Sequence, residues 1–157
     1  MRVLFTCVGA YGHFHPLVPL AQALADAGHE VAFATNQAFG VRVQHAGFEA
    51  IPAGVNEDVA LAEFNKRFPE RADAEGEAQG GGRFVRMFTD IITPAMLIDL
   101  AAICRSRKPD LLIHEEGEYA GPIAATLSEI PYVNHGWGSP LRLPGPRVQA
   151  LAPLWRR

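Results

Sequence analysis

β-branched and apolar residues run from Val3 to Val8 within a stretch, residues 2–8, that reads as a strand buried on both faces of a parallel sheet. The run stops at Gly9-Ala10-Tyr11-Gly12-His13, and beyond Pro16 the apolar positions switch to helical spacing at Leu17, Leu20, Ala21, Leu24 and Ala25. Gly28 ends that helix. Residues 30–35 then predict a second strand, 37–46 a short helix closed by Gly47, and 48–52 a third strand.

Residues 54–82 read differently: a short helix over 59–68, then a loose run from 74 that closes in Gly80-Gly81-Gly82. So long a segment between strands predicts a mobile loop covering a site. From Arg83 onward Phe84, Met87, Phe88, Ile91, Met96, Leu97 and Leu100 mark a long amphipathic helix, kinked near Thr93-Pro94 and packed on the sheet. A fourth strand over 111–114, a helix over 119–129 and a fifth strand over 132–135 follow. This alternation implies an α/β domain, a Rossmann-like doubly wound parallel sheet of order 3-2-1-4-5. Residues 136–145 are a Pro/Gly-rich loop. The helical pattern over 147–157 ends without a cap, as in a chain cut short.

At 157 residues the expectation is one domain, and a domain of this size buries roughly 70% of its unfolded surface without disulfide staples. Cys7 and Cys104 then read as reduced core thiols. A net charge of -3 with no basic stripe argues against a nucleic-acid partner. The first apolar run is too short for a signal-peptide core, and no uninterrupted stretch approaches the roughly 20 residues of a membrane span. The expected compartment is the cytoplasm.

In a sheet of this order ligands bind at the carboxyl ends of the strands, at the switch between the first and fourth. That rim brings together residues 9–15, 115–118 and 135–139. It sets His13 opposite Glu115, and an imidazole whose other nitrogen is held by a carboxylate makes a general-base dyad. The alternative is that His13 caps the first helix or satisfies a turn. His15, beside Pro16, reads as a capping residue. The acids and histidine at Asp110, His114, Glu115, Glu116 and Glu118 are dense, but neighbouring strand residues face opposite sides and do not converge on a metal. Glu116 and Glu118 read as a charged helix entry and His114 as pointing into a helix-sheet layer. Dinucleotide, phosphate-loop and nucleophile-elbow motifs are missing. Tyr11, Phe14, Phe84, Met87, Phe88 and Trp137 are candidates for the wall of an apolar crevice, with ordinary core the competing view; His135 joins them at the rim.

Val3-Leu4-Phe5, then Gly12-His13-Phe14-His15-Pro16-Leu17, then Ala27-Gly28-His29-Glu30-Val31, and later Pro109-Asp110-Leu111-Leu112-Ile113-His114-Glu115 with Ala120-Gly121-Pro122, form a combination. It resembles the N-terminal, acceptor-binding half of inverting GT-B glycosyltransferases of actinobacterial natural-product and antibiotic biosynthesis. The resemblance spans essentially all 157 residues. It implies a glycosyltransferase of hexosyltransferase type, with a nucleotide-diphosphate-sugar donor, a small-molecule aglycone acceptor, inversion, and no cofactor or metal. His13 falls on the family's base, Glu115 stands where many members have aspartate, and Gly12 falls on the donor side. Residues 1–157 would be one acceptor-binding domain, with the donor-binding domain absent and supplied by a missing segment or a second chain. The rival reading is a stand-alone small-molecule-binding or auxiliary protein without catalysis. An uncovered rim with Leu141, Leu143 and Trp155 predicts self-association, as in a homodimer.

Overall fold

The computed structural model describes residues 1–69 and 85–136. The predicted loop over 74–82, Phe84, Trp137 and the helical pattern over 147–157 lie outside the described residues. Five parallel strands, β1 (Arg2–Thr6), β2 (Glu30–Thr35), β3 (Glu49–Pro52), β4 (Leu111–Glu115) and β5 (Tyr132–His135), form one sheet of order β3-β2-β1-β4-β5. The central strand is set by Phe5, which lies level with Phe33 on one side and Ile113 on the other. β1 ends two residues earlier than the apolar run suggests, yet Cys7 stays fully buried and its amide donates to Ala34 O.

Alternation along β1 sorts the core into two layers. Val3, Phe5 and Cys7 face helices α1 (Tyr11–Phe14), α2 (Val18–Asp26) and α3 (Gln37–His45) through Phe14, Leu17, Ala21, Phe39 and Val43. Leu4 faces the other layer, where α5 (Thr93–Arg107) contributes Met96, Leu100 and Cys104, and α6 (Ala120–Leu127) contributes Ala120 and Ala124. Helix α4 (Glu57–Arg67) forms a smaller cluster in which Ala60 and Phe64 meet Ile91. Both cysteines are free, and burial pushes both thiols up, in Cys7 with the Glu115 charge adding to it.

The chain enters α5 through a π-helical turn, Met87–Ile92, which sits directly before Pro94 and takes up the break that the proline imposes. The stretch Met87–Arg107 is, by length and mean hydropathy of 1.7, apolar enough to cross a bilayer. Asp90 and Asp99 interrupt it, so it is not the uninterrupted apolar run whose absence the sequence shows. In the fold its Met96, Leu100, Ile103 and Cys104 pack on the sheet. The helix stops at Lys108, in the left-handed region at φ 46°, followed by Pro109.

Phe33 joins the layer together: it stacks on Phe5 at 4.8 Å and meets Phe14 and Phe48 edge-on or tilted at 5.1 and 5.2 Å. Phe33→Ala is expected to lower stability by about 3–5 kcal/mol, read as a fall in the urea midpoint with the circular dichroism of the folded state retained.

Candidate functional site

β1 and β4 are neighbours whose following segments leave in different directions, which opens the rim between them. After β1 the chain makes α1 and a 3-10 turn, His15–Leu17, with Pro16 at its start. The backbone amide of His13 donates to Ala10 O, and no side chain caps α1 or the turn that follows. His15 stands at the C-cap of α1, its backbone amide donating to Tyr11 O, whereas the His13 side chain makes no cap bond to the helix. The His15 ring lies tilted against Tyr11 at 5.0 Å.

The His13 ring reaches Glu115. Its Nδ1 lies 2.8 Å from Glu115 Oε1, with the His13 side chain 20% exposed and that of Glu115 fully buried. Glu115 Oε1 also accepts from Val8 N at 3.3 Å, and Oε2 accepts from Gly117 N at 2.6 Å. A buried carboxylate left unbonded would cost several kcal/mol, so these donors fix where its oxygens point. With Nδ1 donating to Glu115, the neutral ring carries its lone pair on Nε2. Phe88 lies nearly parallel to the imidazole at 6.4 Å, and Tyr119 meets Phe88 edge-on at 6.4 Å. Burial, with the charges of Glu115 and Glu116 adding to it, holds the Tyr119 phenol above its usual range, so it stays a neutral O–H. The arrangement is an oriented proton acceptor beside an aromatic wall, the parts that proton abstraction from a hydroxyl requires.

The next acids along the chain do something else. Glu118 stands at the entry of α6, as expected, but is only 2% exposed. It accepts from Thr6 Oγ1, from the amides of Ala120 and Gly121, and so caps α6 from within the fold. His114 faces away from Glu115 in the strand, and its Nδ1 lies 3.1 Å from the carbonyls of both Glu115 and Glu118. Burial keeps His114 below its ordinary range, hence neutral. Among the described residues no group of three His, Cys, Asp or Glu side chains is arranged to hold a metal.

The expected crevice residues separate. Phe88 stands at the His13 ring. Phe14 is 2% exposed and packs among Phe33 and Phe39 as part of the core, and it also lines the hollow of Tyr11 and His15 described below. Met87 packs with the Phe64 cluster of α4. Tyr11, two positions before His13 on one turn of helix, points to the far side: its hydroxyl accepts from Arg42 Nε at 3.3 Å. There it lines a second hollow of about 660 Å³ with His15, Arg42 and His45, apart from His13. His135 lies level with Glu115 across β4 and β5, half-buried, its Nδ1 buried without a hydrogen-bond partner. Gly12 has open space where a Cβ would stand. Phe84 and Trp137 lie outside the described residues. Thr6, which bonds Glu118, and Tyr119, which meets Phe88, are neighbours of these residues that sequence reasoning did not select.

Residues 22–144 match the family described as erythromycin biosynthesis protein CIII-like, N-terminal domain. The chain belongs to this family. Tylactone mycaminosyltransferase of Streptomyces fradiae is 33% identical over 154 residues, covering 88% of this chain and 34% of that protein. L-demethylnoviosyl transferase of Streptomyces niveus is 37% identical over 152 residues, covering 97% and 38%. Of the solved structures, the glycosyltransferase SsfS6 of Streptomyces sp. SF2575 superposes with a TM-score of 0.76 at 29% identity over 98% of this chain and 44% of that one. The glycosyltransferase VinC, solved in complex with dTDP, gives 0.71 at 31% identity over 100% and 39%. The fold is thus the Rossmann-like α/β half of the GT-B architecture, and the chain spans about a third of the length of the curated relatives it matches.

Burial pushes the Glu118 carboxyl up to about 7, against the hydrogen bonds from Thr6, Gly121 and Ala120. Between its ordinary 4.5 and about 7 the folded chain keeps a proton that the unfolded chain has released, so stability falls as pH rises through that window. Relative to Glu118→Gln, the wild type is expected to lose on the order of 3 kcal/mol from pH 4.5 to above 7, measured by urea unfolding at each pH; parallel curves would contradict it.

Proposed function

We propose that residues 1–157 are the acceptor-binding domain of an inverting glycosyltransferase, which moves a sugar from a nucleotide-diphosphate-sugar to a hydroxyl of a small aglycone. The observation that carries this reading is the 2.8 Å contact between His13 and the buried Glu115 at the switch point of the sheet, in a chain of this family. The naming of its relatives as mycaminosyl and noviosyl transferases supports a glycosylated natural product, and a relative solved with dTDP supports a thymidine diphosphate donor.

In the proposed step the acceptor O–H donates to His13 Nε2. Its oxygen forms a bond to the anomeric carbon from the face opposite the nucleoside diphosphate, while the proton passes to Nε2. The bond from that carbon to the diphosphate oxygen breaks, its electron pair leaves with the diphosphate, and the configuration inverts. Glu115 stabilises the imidazolium as it forms and holds Nδ1–H throughout. Phe88 offers the aglycone apolar area without fixed hydrogen-bond demands. Stabilising the departing diphosphate needs oriented donors and closure against water, which this reading assigns to the donor-binding half.

The purified 157-residue chain is therefore expected to bind phenolic or macrolactone aglycones with shifts of the His13 and Phe88 nuclear magnetic resonance signals, and to transfer no sugar from dTDP-sugars. Joined to the remaining two-thirds of a relative, it is expected to transfer sugar, and His13→Ala to lower that rate by about 10²–10⁴. A His13→Ala chimera as fast as its parent, or turnover by the 157-residue chain alone, would contradict the reading.

A further inference from the structure

Glu115 and Glu118 stand at the two ends of the same tight turn and hold the chain at the end of β1 and just past it. Glu115 shares the side of Ile113 in β4 and reaches the amide of Val8, whereas Glu118 meets Thr6, which lies on the side of Leu4. The ends of the turn are tied to one another: Glu118 N donates to Glu115 O at 3.0 Å, and His114 Nδ1 lies 3.1 Å from both their carbonyls.

We infer that Glu118 is a positioning residue of this site, clamping the strand that leads to His13 onto the turn that carries Glu115 and so setting the contact between the two. The inference rests on the dyad reading above. Thr6 is the last residue of β1, and its hydroxyl donates to Glu118 Oε2; the amides of Ala120 and Gly121 donate to Oε1, and Gly121 N reaches Oε2 as well at 2.9 Å. One carboxylate thereby joins β1, the turn and the first residues of α6. It is nearly inaccessible to water, so releasing any partner would strand a buried polar group. Gly121 preserves the space for this clamp: a Cβ there would stand 2.5 Å from both Glu118 Oε2 and Thr6 Oγ1, and 3.0 Å from the His114 Cβ. The sequence thus keeps a threonine, a glutamate and a glycine in contact where none touches the His13 ring. Movement at this clamp changes the separation of β1 from the turn, and the His13–Glu115 contact spans that separation.

The test uses the 157-residue chain with nitrogen-15 in its histidines, at a pH where the rings are neutral. In the wild type, long-range proton–nitrogen correlation is expected to show His13 protonated at Nδ1, with a downfield Nδ1–H resonance. Glu118→Ala is expected to lose that resonance and mix the two tautomers while the backbone spectrum stays folded. Glu118→Gln is expected to retain it, because the amide accepts from Ala120 N and donates to Thr6 Oγ1. Should Glu118→Ala fail to fold, Thr6→Val decides: it removes one bond of the clamp and leaves α6 capped, and the Nδ1–H resonance is again expected to be lost. A wild-type His13 signature in folded Glu118→Ala, or in Thr6→Val, overturns this inference alone. A wild-type chain whose His13 lacks the Nδ1 proton, unchanged by Glu115→Gln, overturns the dyad and this inference with it.

Discussion

A fully buried carboxylate has to be met by hydrogen-bond donors, and Glu115 recruits them from three separate pieces of chain. Val8 supplies an amide from two residues past β1, Gly117 one from the turn, and His13 its Nδ1 from α1. Each donor is there because the strand order makes β1 and β4 neighbours. The imidazole gains its orientation from this arrangement: the ring is turned by the need to satisfy a charge that water does not reach. The pairing of β1 with β4, Phe5 level with Ile113 and Thr6 with His114, keeps the two strand ends in register so that the arrangement persists.

The same turn of helix divides the rim. Residues two apart on α1 lie about 200° apart around its axis, so His13 faces Glu115 while Tyr11 faces Arg42. The surface therefore carries a proton acceptor beside Phe88 and, separately, the hollow of Tyr11, His15, Arg42 and His45. The first has its imidazole oriented by the buried Glu115 carboxylate. The π-helical turn at Met87–Ile92 matters to it, since Phe88 projects from that turn to the imidazole.

Much of this was legible in the sequence, for identifiable reasons. Apolar runs marked β1 and β4 because both faces of the centre of a parallel sheet are covered; β5 (Tyr132–His135), at the sheet edge and mostly exposed, was bounded by Pro131 before it and Gly136 after it. The approach of His13 to Glu115 followed from strand order alone, since each residue sits just past or at the end of its strand. Side-chain burial in a polar run did not follow. Glu116 and Glu118 look alike in sequence, but only Glu118 is enclosed, by Thr6 and the start of α6, and one strand residue with one helix start cannot be matched by spacing. Phe14 and Tyr11 were both expected at the crevice, and helical phase sends one into the core and the other outward. The π turn escaped because periodicity over a few residues does not separate 3.6 residues per turn from a local insertion. Tyr119 had no signal beyond its place after β4.

The most direct measurement of the central claim is a crystal structure of this chain with an aglycone bound. The account predicts an acceptor hydroxyl within hydrogen-bond distance of His13 Nε2, Nδ1 still on Glu115, and the aglycone body against Phe88. An aglycone seated in the hollow of Tyr11, Arg42 and His45, with its hydroxyls remote from His13, would contradict it.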